Sequence, residues 1–234
     1  MQPSPPELAD ATTTLTDIDG PPPVQASAPI GGQDSSARDR VPRSLAWLYT
    51  IAGSVGFAAA FTLLVEKIEL LKDPTYVPSC SINPILSCGS VMQTEQAEAF
   101  GFPNPIIGVA GFAIIITAGM ALLAGAELHR WFWSGLQVGV TFAVIFVHWL
   151  IFQSLYRIDA LCPYCMVVWV VTIPLFWYTT LHNLRVGHLG SRASNSAVTR
   201  RLAEYHGVIL TVWYLAIAAL IAQRFWDYWS TLLS

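Results

Sequence analysis

Charge is scarce in this chain. Twelve Lys and Arg and 15 Asp and Glu are spread over 234 residues, leaving a net charge of -3 and no basic block. The counterion-release energy that drives nucleic-acid binding is missing, which excludes nucleic acid as a partner. Cysteine is equally sparse: Cys80, Cys88, Cys162 and Cys165 are the only four. Residues 1–40 contain no cysteine, no aromatic residue and no apolar core of a signal peptide. Rich in Pro, Ala, Ser, Thr, Asp and Gly, they read as a disordered cytoplasmic tail. Motifs for a metal, a flavin or a nucleotide are also missing.

Hydrophobic residues, by contrast, make up 54% of the chain, and the mean hydropathy is +0.51. These values belong to a membrane protein rather than a soluble domain. Apolar runs cover 45–65, 105–125, 132–155, 162–181 and 207–226. Each is close to the roughly 20 residues that cross a bilayer core. Backbone groups in lipid must pair internally, so the runs are expected to be helices. The third run is long and ends close to the fourth, which admits four to six spans, and five fits best.

Lys and Arg in the short flanks set the orientation. With the N-terminus in the cytoplasm, Arg38, Arg40, Arg43, Arg130, Arg185, Arg192, Arg200 and Arg201 are inside, while Lys67, Lys72, Arg157 and Arg224 are outside. The eight-to-four excess places the 66–104 loop and all four cysteines on the outer face, where disulfides persist.

Cys162, Pro163, Tyr164 and Cys165 open the fourth run. A cysteine at a helix N-terminus meets unpaired N–H groups and the positive end of the macrodipole, which favour the thiolate, and proline at the first helical position sacrifices no hydrogen bond. Cys162 is therefore expected to be the more accessible and more acidic thiol. Cys165 lies about one turn, roughly 4.5 Å, deeper. Two bland readings stand beside the redox one: a static disulfide, and a zinc site using all four cysteines. A CxxC at a helix start is a reducible geometry suited to thiol exchange. Cys80 and Cys88, separated by seven residues in the outer loop, would close a small ring that an external thiolate can open. Alone, that pair would read as structural.

The C-x7-C in the first outer loop, N-P-I-I-G opening the second helix at Asn104, and CPYC opening the fourth resemble the vitamin K epoxide reductase family, in its bacterial form without a fused thioredoxin domain. The resemblance covers about residues 45–181, and bacterial members also carry the fifth helix. It implies an all-α integral membrane fold: a four-helix bundle around a quinone pocket over 41–182, a cytoplasmic loop at 183–206, and a fifth transmembrane helix with a short outer tail over 207–234.

The family roles imply Cys80 and Cys88 as a loop shuttle, Cys162 as the receiver of electrons from the loop, and Cys165 as the thiol facing quinone. They assign Cys88 as the donor to Cys162 and leave Cys80 for the external partner. Asn104 matches the family asparagine on a quinone carbonyl, and Thr94 falls where a serine often stands near the active site. Trp169 replaces the tyrosine of the animal enzymes, keeping an aromatic wall without the hydroxyl.

The implied activity is that of a thiol:quinone oxidoreductase in the bacterial inner membrane. It would reoxidise a separate DsbA-like thioredoxin-fold protein and reduce menaquinone or ubiquinone, without a metal. Reduction of a vitamin K epoxide with other thiol donors is an alternative, as is a nonenzymatic redox-responsive scaffold.

Helical spacing also points to pocket faces. Cys165, Trp169 and Thr172 share one face, as do Asn104, Gly108 and Gly111. The opposing readings are that the glycines serve helix packing and that Trp169 is an interfacial anchor. Gln137, Thr141 and His148 line a face of the third helix, where an interhelical hydrogen bond is the expected use of His148. Pro174 is expected to kink the fourth helix, and His129, His182, His188 and His206 to be solvent-facing loop or boundary residues.

Overall fold

The computed structural model describes residues 41–83, 85–189 and 196–233, so the tail expected over 1–40 lies outside the described residues. The described residues form helices and no strand: α1 (Arg43–Lys72), α2 (Cys88–Met92), a 3-10 turn (Glu95–Glu98), α3 (Pro105–Leu123), α4 (Arg130–Gln153), α5 (Pro163–Val186), α6 (Ala197–Glu204), α7 (His206–Arg224) and α8 (Trp226–Leu233). Five of them, α1, α3, α4 with its extension to Ile158, α5 and α7, are long and apolar enough to cross a membrane. The all-α membrane architecture read from the sequence is thus the observed one.

Four spanning helices form the bundle. Tyr49, Phe112, Trp133, Leu136 and Leu175 from α1, α3, α4 and α5 build its largest apolar cluster. Lipid is as apolar as these side chains, so close approach and polar contacts decide which helices meet. Gly53 and Gly56 let α1 approach Ile116 and Phe112, and Gly119 lies where a Cβ would stand 2.8 Å from the backbone nitrogen of Thr50. Gly108 packs in the same way, since a Cβ there would come within 2.9 Å of Ala60. Gly111 has open space instead.

Polar staples join α4 and α5. Gln137 donates to Thr180 at 2.9 Å and accepts from Asn183 at 3.0 Å, while the Tyr49 and Thr179 hydroxyls, meeting at 2.6 Å, tie α1 to α5. None of α7 is buried, so it is held by point contacts. His148 binds the Val144 carbonyl through Nδ1 at 2.7 Å, which makes Nδ1 the protonated nitrogen; Nε2 accepts from Trp213 at 2.9 Å. This is the interhelical use expected for His148.

Several helix ends differ from the apolar runs. α1 continues to Lys72, beyond the expected limit at 65, because Glu66 and Lys67 are satisfied by the loop folding back on them. α5 continues to Val186, where Gly187 in the left-handed region ends it. His182 corrects the solvent-facing expectation: it is buried, with its ring centroid 4.3 Å from that of Trp133. The sequence pattern could not show that Trp133 projects toward it from α4.

Candidate active site

The four cysteines converge at one end of the bundle. Cys80 and Cys88 form a disulfide across the loop, with Cα atoms 5.6 Å apart, while Cys162 and Cys165 are free thiols. The Sγ atoms of Cys88 and Cys162 lie 3.1 Å apart although 74 residues separate them. Cys80, Cys88 and Cys162 place their sulfurs within 4.8 Å of one another. Leu63, Leu70 and Met92 pack around these sulfurs, with Tyr76 and Tyr164 against the same cluster.

Local structure aims these sulfurs. Ser87 caps α2, its hydroxyl accepting from Ser90 N–H, so Cys88 occupies the first position of that short helix. Cys162 caps α5, its sulfur accepting from the Cys165 N–H at 3.4 Å. An isolated parallel bridge then locks the two segments: Leu161 N–H donates to Ile85 O at 2.7 Å and Ser87 N–H donates to Leu161 O at 3.0 Å. The residue after each bridge partner is one removed from, or is itself, a reacting cysteine, which is why the two sulfurs touch.

Cys162 is fully buried beneath α2, whereas Cys165 is half-buried. This reverses the expected order of accessibility, because the cysteine loop folds over the helix N-terminus that a bare α5 would expose. The expected acidity stands. The Cys162 thiol is held below its ordinary range first by the hydrogen bond from the Cys165 side chain, then by the N–H groups of Cys165 and Tyr164, against the opposing effect of burial.

Two residues that sequence reasoning left aside clamp the loop. Glu66 accepts from the Tyr76 hydroxyl at 2.9 Å and from both the N–H and hydroxyl of Ser79, the neighbour of Cys80. Lys67 donates to Met92 O at 2.7 Å and pairs with Glu98 at 2.9 Å, holding the far end of the helix that begins at Cys88. Both charges are buried. The readable signal was an adjacent Glu-Lys pair at the end of an apolar run, where a burial cost demands partners.

The remaining predicted residues differ in what they touch. Trp169 is buried against Val147, Ile151, Leu161 and Phe225, in a cluster that Cys165 also touches. Its burial excludes the interfacial-anchor reading. Asn104 ties the cap of the loop: Oδ1 accepts from Ala99 N–H at 3.1 Å and Nδ2 donates to Gln96 O at 2.7 Å. One of its two amide protons stays uncommitted. The Thr94 hydroxyl is spent as a donor to Val91 O at 2.8 Å and retains only acceptor capacity.

Residues 47–180 match the family model described as the vitamin K epoxide reductase family, more than half of the chain. The chain belongs to the vitamin K epoxide reductase family. A comparison with curated proteins gives no match. Membership in the vitamin K epoxide reductase family, together with the membrane helices and the cysteine cluster, identifies a membrane oxidoreductase of the thiol/quinone type. The family match ends at residue 180, so α6, α7 and α8 lie outside it.

Proposed function

We propose that this protein is a thiol:quinone oxidoreductase that reoxidises a DsbA-like thioredoxin-fold protein outside the cytoplasm and delivers the electrons to a membrane quinone, supporting disulfide formation in exported proteins. The observation that carries the reading is the 3.1 Å contact between Cys88 and Cys162, a distance from which one sulfur attacks the other with little motion. The eight-to-four excess of Lys and Arg supports a cytoplasmic N-terminus, with this chemistry on the outer side of a bacterial inner membrane.

The relay balances as follows. The partner's dithiol is oxidised to a disulfide as it reduces Cys80–Cys88, by attack at Cys80 and release of the Cys88 thiolate. With Cys162 and Cys165 in their disulfide state, the Cys88 thiolate attacks Cys162, and Cys165 leaves as a thiolate. The Cys80 thiolate then attacks Cys88, restoring the loop disulfide and freeing Cys162. The bonded loop and free CPYC thiols correspond to this stage. Two electrons and, on protonation, two protons now reside on Cys162 and Cys165.

A quinone supplies the two-electron, two-proton acceptor that this pair requires. The donor set suits one: Cys165 is half-buried beside the apolar wall of Met166 and Trp169, and Asn104 has one uncommitted N–H for a carbonyl oxygen. Thr94 offers an acceptor to a hydroxyl. Burial of Cys162 under α2 keeps water and competing thiols from its sulfur.

The deciding measurement is quinone reduction, followed by absorbance, with purified protein and a reduced DsbA-like protein. Turnover that vanishes in Cys165→Ala and in Cys80→Ala supports the relay. Folded protein that reduces neither menaquinone nor ubiquinone, but reduces a vitamin K epoxide with other thiols, replaces it with epoxide reduction; no turnover with any acceptor leaves the redox-responsive scaffold.

A further inference from the structure

α7 contributes no buried residue, yet its last residue reaches into the segment that leads to CPYC. Arg224 donates from Nε to Leu155 O at 2.8 Å, and its Nη2 makes an ion pair with Asp159. Leu155 lies within the π turn at Ser154–Ile158 that ends α4, and Asp159 is the residue that caps it. Asp159 has a φ of 56°, in the left-handed region that non-glycine residues occupy only when their surroundings hold them there. The residue after Arg224, Phe225, is buried against Leu155, Leu161 and Trp169.

The segment thus gripped carries the bridge. Leu161 is two residues beyond Asp159, and its backbone N–H and C=O are the groups that hold Ile85 and Ser87. Cys162 and Cys88 come next on the two segments, with their sulfurs in contact. A slip of the π turn would move Leu161, and with it the register of the two cysteines. A fork of donors bound to a carbonyl and a carboxylate at once fixes a turn better than a point charge does.

We infer that Arg224, seconded by Phe225, is a positioning residue that sets the Cys88–Cys162 register, making α7 an external strut of the relay rather than only an added span. The inference rests on the proposed thiol relay and adds a role for a helix outside the family match.

The test uses the full chain carrying Cys80→Ala and Cys165→Ala, in which Cys88 and Cys162 are the only thiols. Equilibration with glutathione couples formation of the Cys88–Cys162 disulfide to reduction of one oxidised glutathione to two thiols. The equilibrium yields the effective concentration of one cysteine at the other. Arg224→Met is expected to lower it at least about tenfold, since misplacement by about an ångström has effects of that order. Arg224→Lys recovers part of the loss. Tyr214→Phe, which loosens α7 at mid-span, leaves it unchanged.

An unchanged effective concentration in Arg224→Met, or an equal fall in Tyr214→Phe, overturns the inference. Should Arg224→Met fail to fold, Asp159→Asn removes the ion pair while keeping the Leu155 bond, and a fall there carries the same meaning; no fall overturns it. The readout requires neither quinone nor protein partner. An unmutated protein without turnover therefore defeats the proposed function and leaves this result standing.

Discussion

The hydroxyl of Tyr214 on α7 donates to the backbone carbonyl of Val170 on α5 at 2.6 Å. That carbonyl would ordinarily accept from the residue four positions on, which is Pro174 and has no N–H. A proline inside a membrane helix is tolerated where a neighbouring helix re-satisfies the freed group, and here the fifth span does so. Tyr214→Phe is expected to cost about 1 kcal/mol, the usual scale of an interhelical hydrogen bond in a membrane. Hydrogen exchange should rise along α7 with α1, α3 and α4 unaffected. Unchanged exchange in α7 would show that the bond does not hold the helix.

A second prediction concerns close packing between α1 and α3. A methyl group at Gly119 meets the Thr50 backbone nitrogen at 2.8 Å and Tyr49 Cβ at 2.9 Å, neither of which can yield without moving α1. Gly119→Ala should therefore destabilise the bundle by about 1–3 kcal/mol. Gly111→Ala meets nothing within 4 Å and should be neutral or stabilising by up to ~1 kcal/mol through helix propensity. Thermal unfolding in detergent separates the two, and equal midpoints would remove Gly119 from the packing argument.

The clamp on the loop gives a third. The Glu66 carboxylate receives Tyr76 and Ser79 together, and Ser79 adjoins Cys80. Glu66→Gln keeps one acceptor oxygen and places an amide where a second is needed. Turnover with the soluble dithiol protein should fall several-fold, while direct quinone reduction by a small dithiol such as dithiothreitol is less affected. Equal effects on both donors would assign Glu66 a role in folding alone.

What could be read from the sequence follows from what each feature depends on. The spans and the two cysteine pairs, C-x7-C and CPYC, depend on composition and spacing within one segment, and both are legible there. The use of His148 was legible too, since an uncharged polar group in lipid has to find a partner. Burial of Cys162, the contact of His182 with Trp133, and the work of Glu66, Lys67 and Arg224 depend on which segments meet. A helix N-terminus considered alone looks open; only the bridge from Leu86 to Leu161 brings a lid onto it. Arg224 in the sequence is simply an outer flanking charge.

The acidity of Cys162 yields a pH prediction. Its thiol is depressed chiefly by the hydrogen bond from Cys165, so thiolate is present at a pH where an ordinary thiol, near about 8.5, is still protonated. As pH falls, thiolate is lost only on passing through the depressed value. In a Cys80→Ala, Cys88→Ala background, thiolate ultraviolet absorbance should show a first ionisation below the ordinary range, belonging to the coupled pair. Cys165→Ala removes the donor and should move the Cys162 ionisation upward, whereas Cys165→Ser retains an O–H donor and should keep it low. Identical titrations for Ala and Ser would mean that the helix N–H groups alone set the acidity.

Asn104 separates a cap from a ligand. Its carbonyl oxygen receives Ala99 N–H and one amide proton goes to Gln96 O, so the side chain closes the turn between the cysteine loop and α3. Under the proposed function, its second amide proton is the one that would meet a quinone oxygen. Asn104→Ala breaks both loop bonds and is expected to cost about 1 kcal/mol, the net scale of a hydrogen bond whose backbone groups water can reach. Asn104→Asp keeps the acceptor for Ala99 but loses both N–H groups, leaves Gln96 O unpaired, and brings a negative charge toward the developing charge of a reduced acceptor. Turnover should therefore fall further in Asp than loss of stability explains, with a raised KM for quinone and an unchanged KM for the dithiol protein. Activity tracking thermal stability across Asn, Asp and Ala would make Asn104 a loop cap and nothing more.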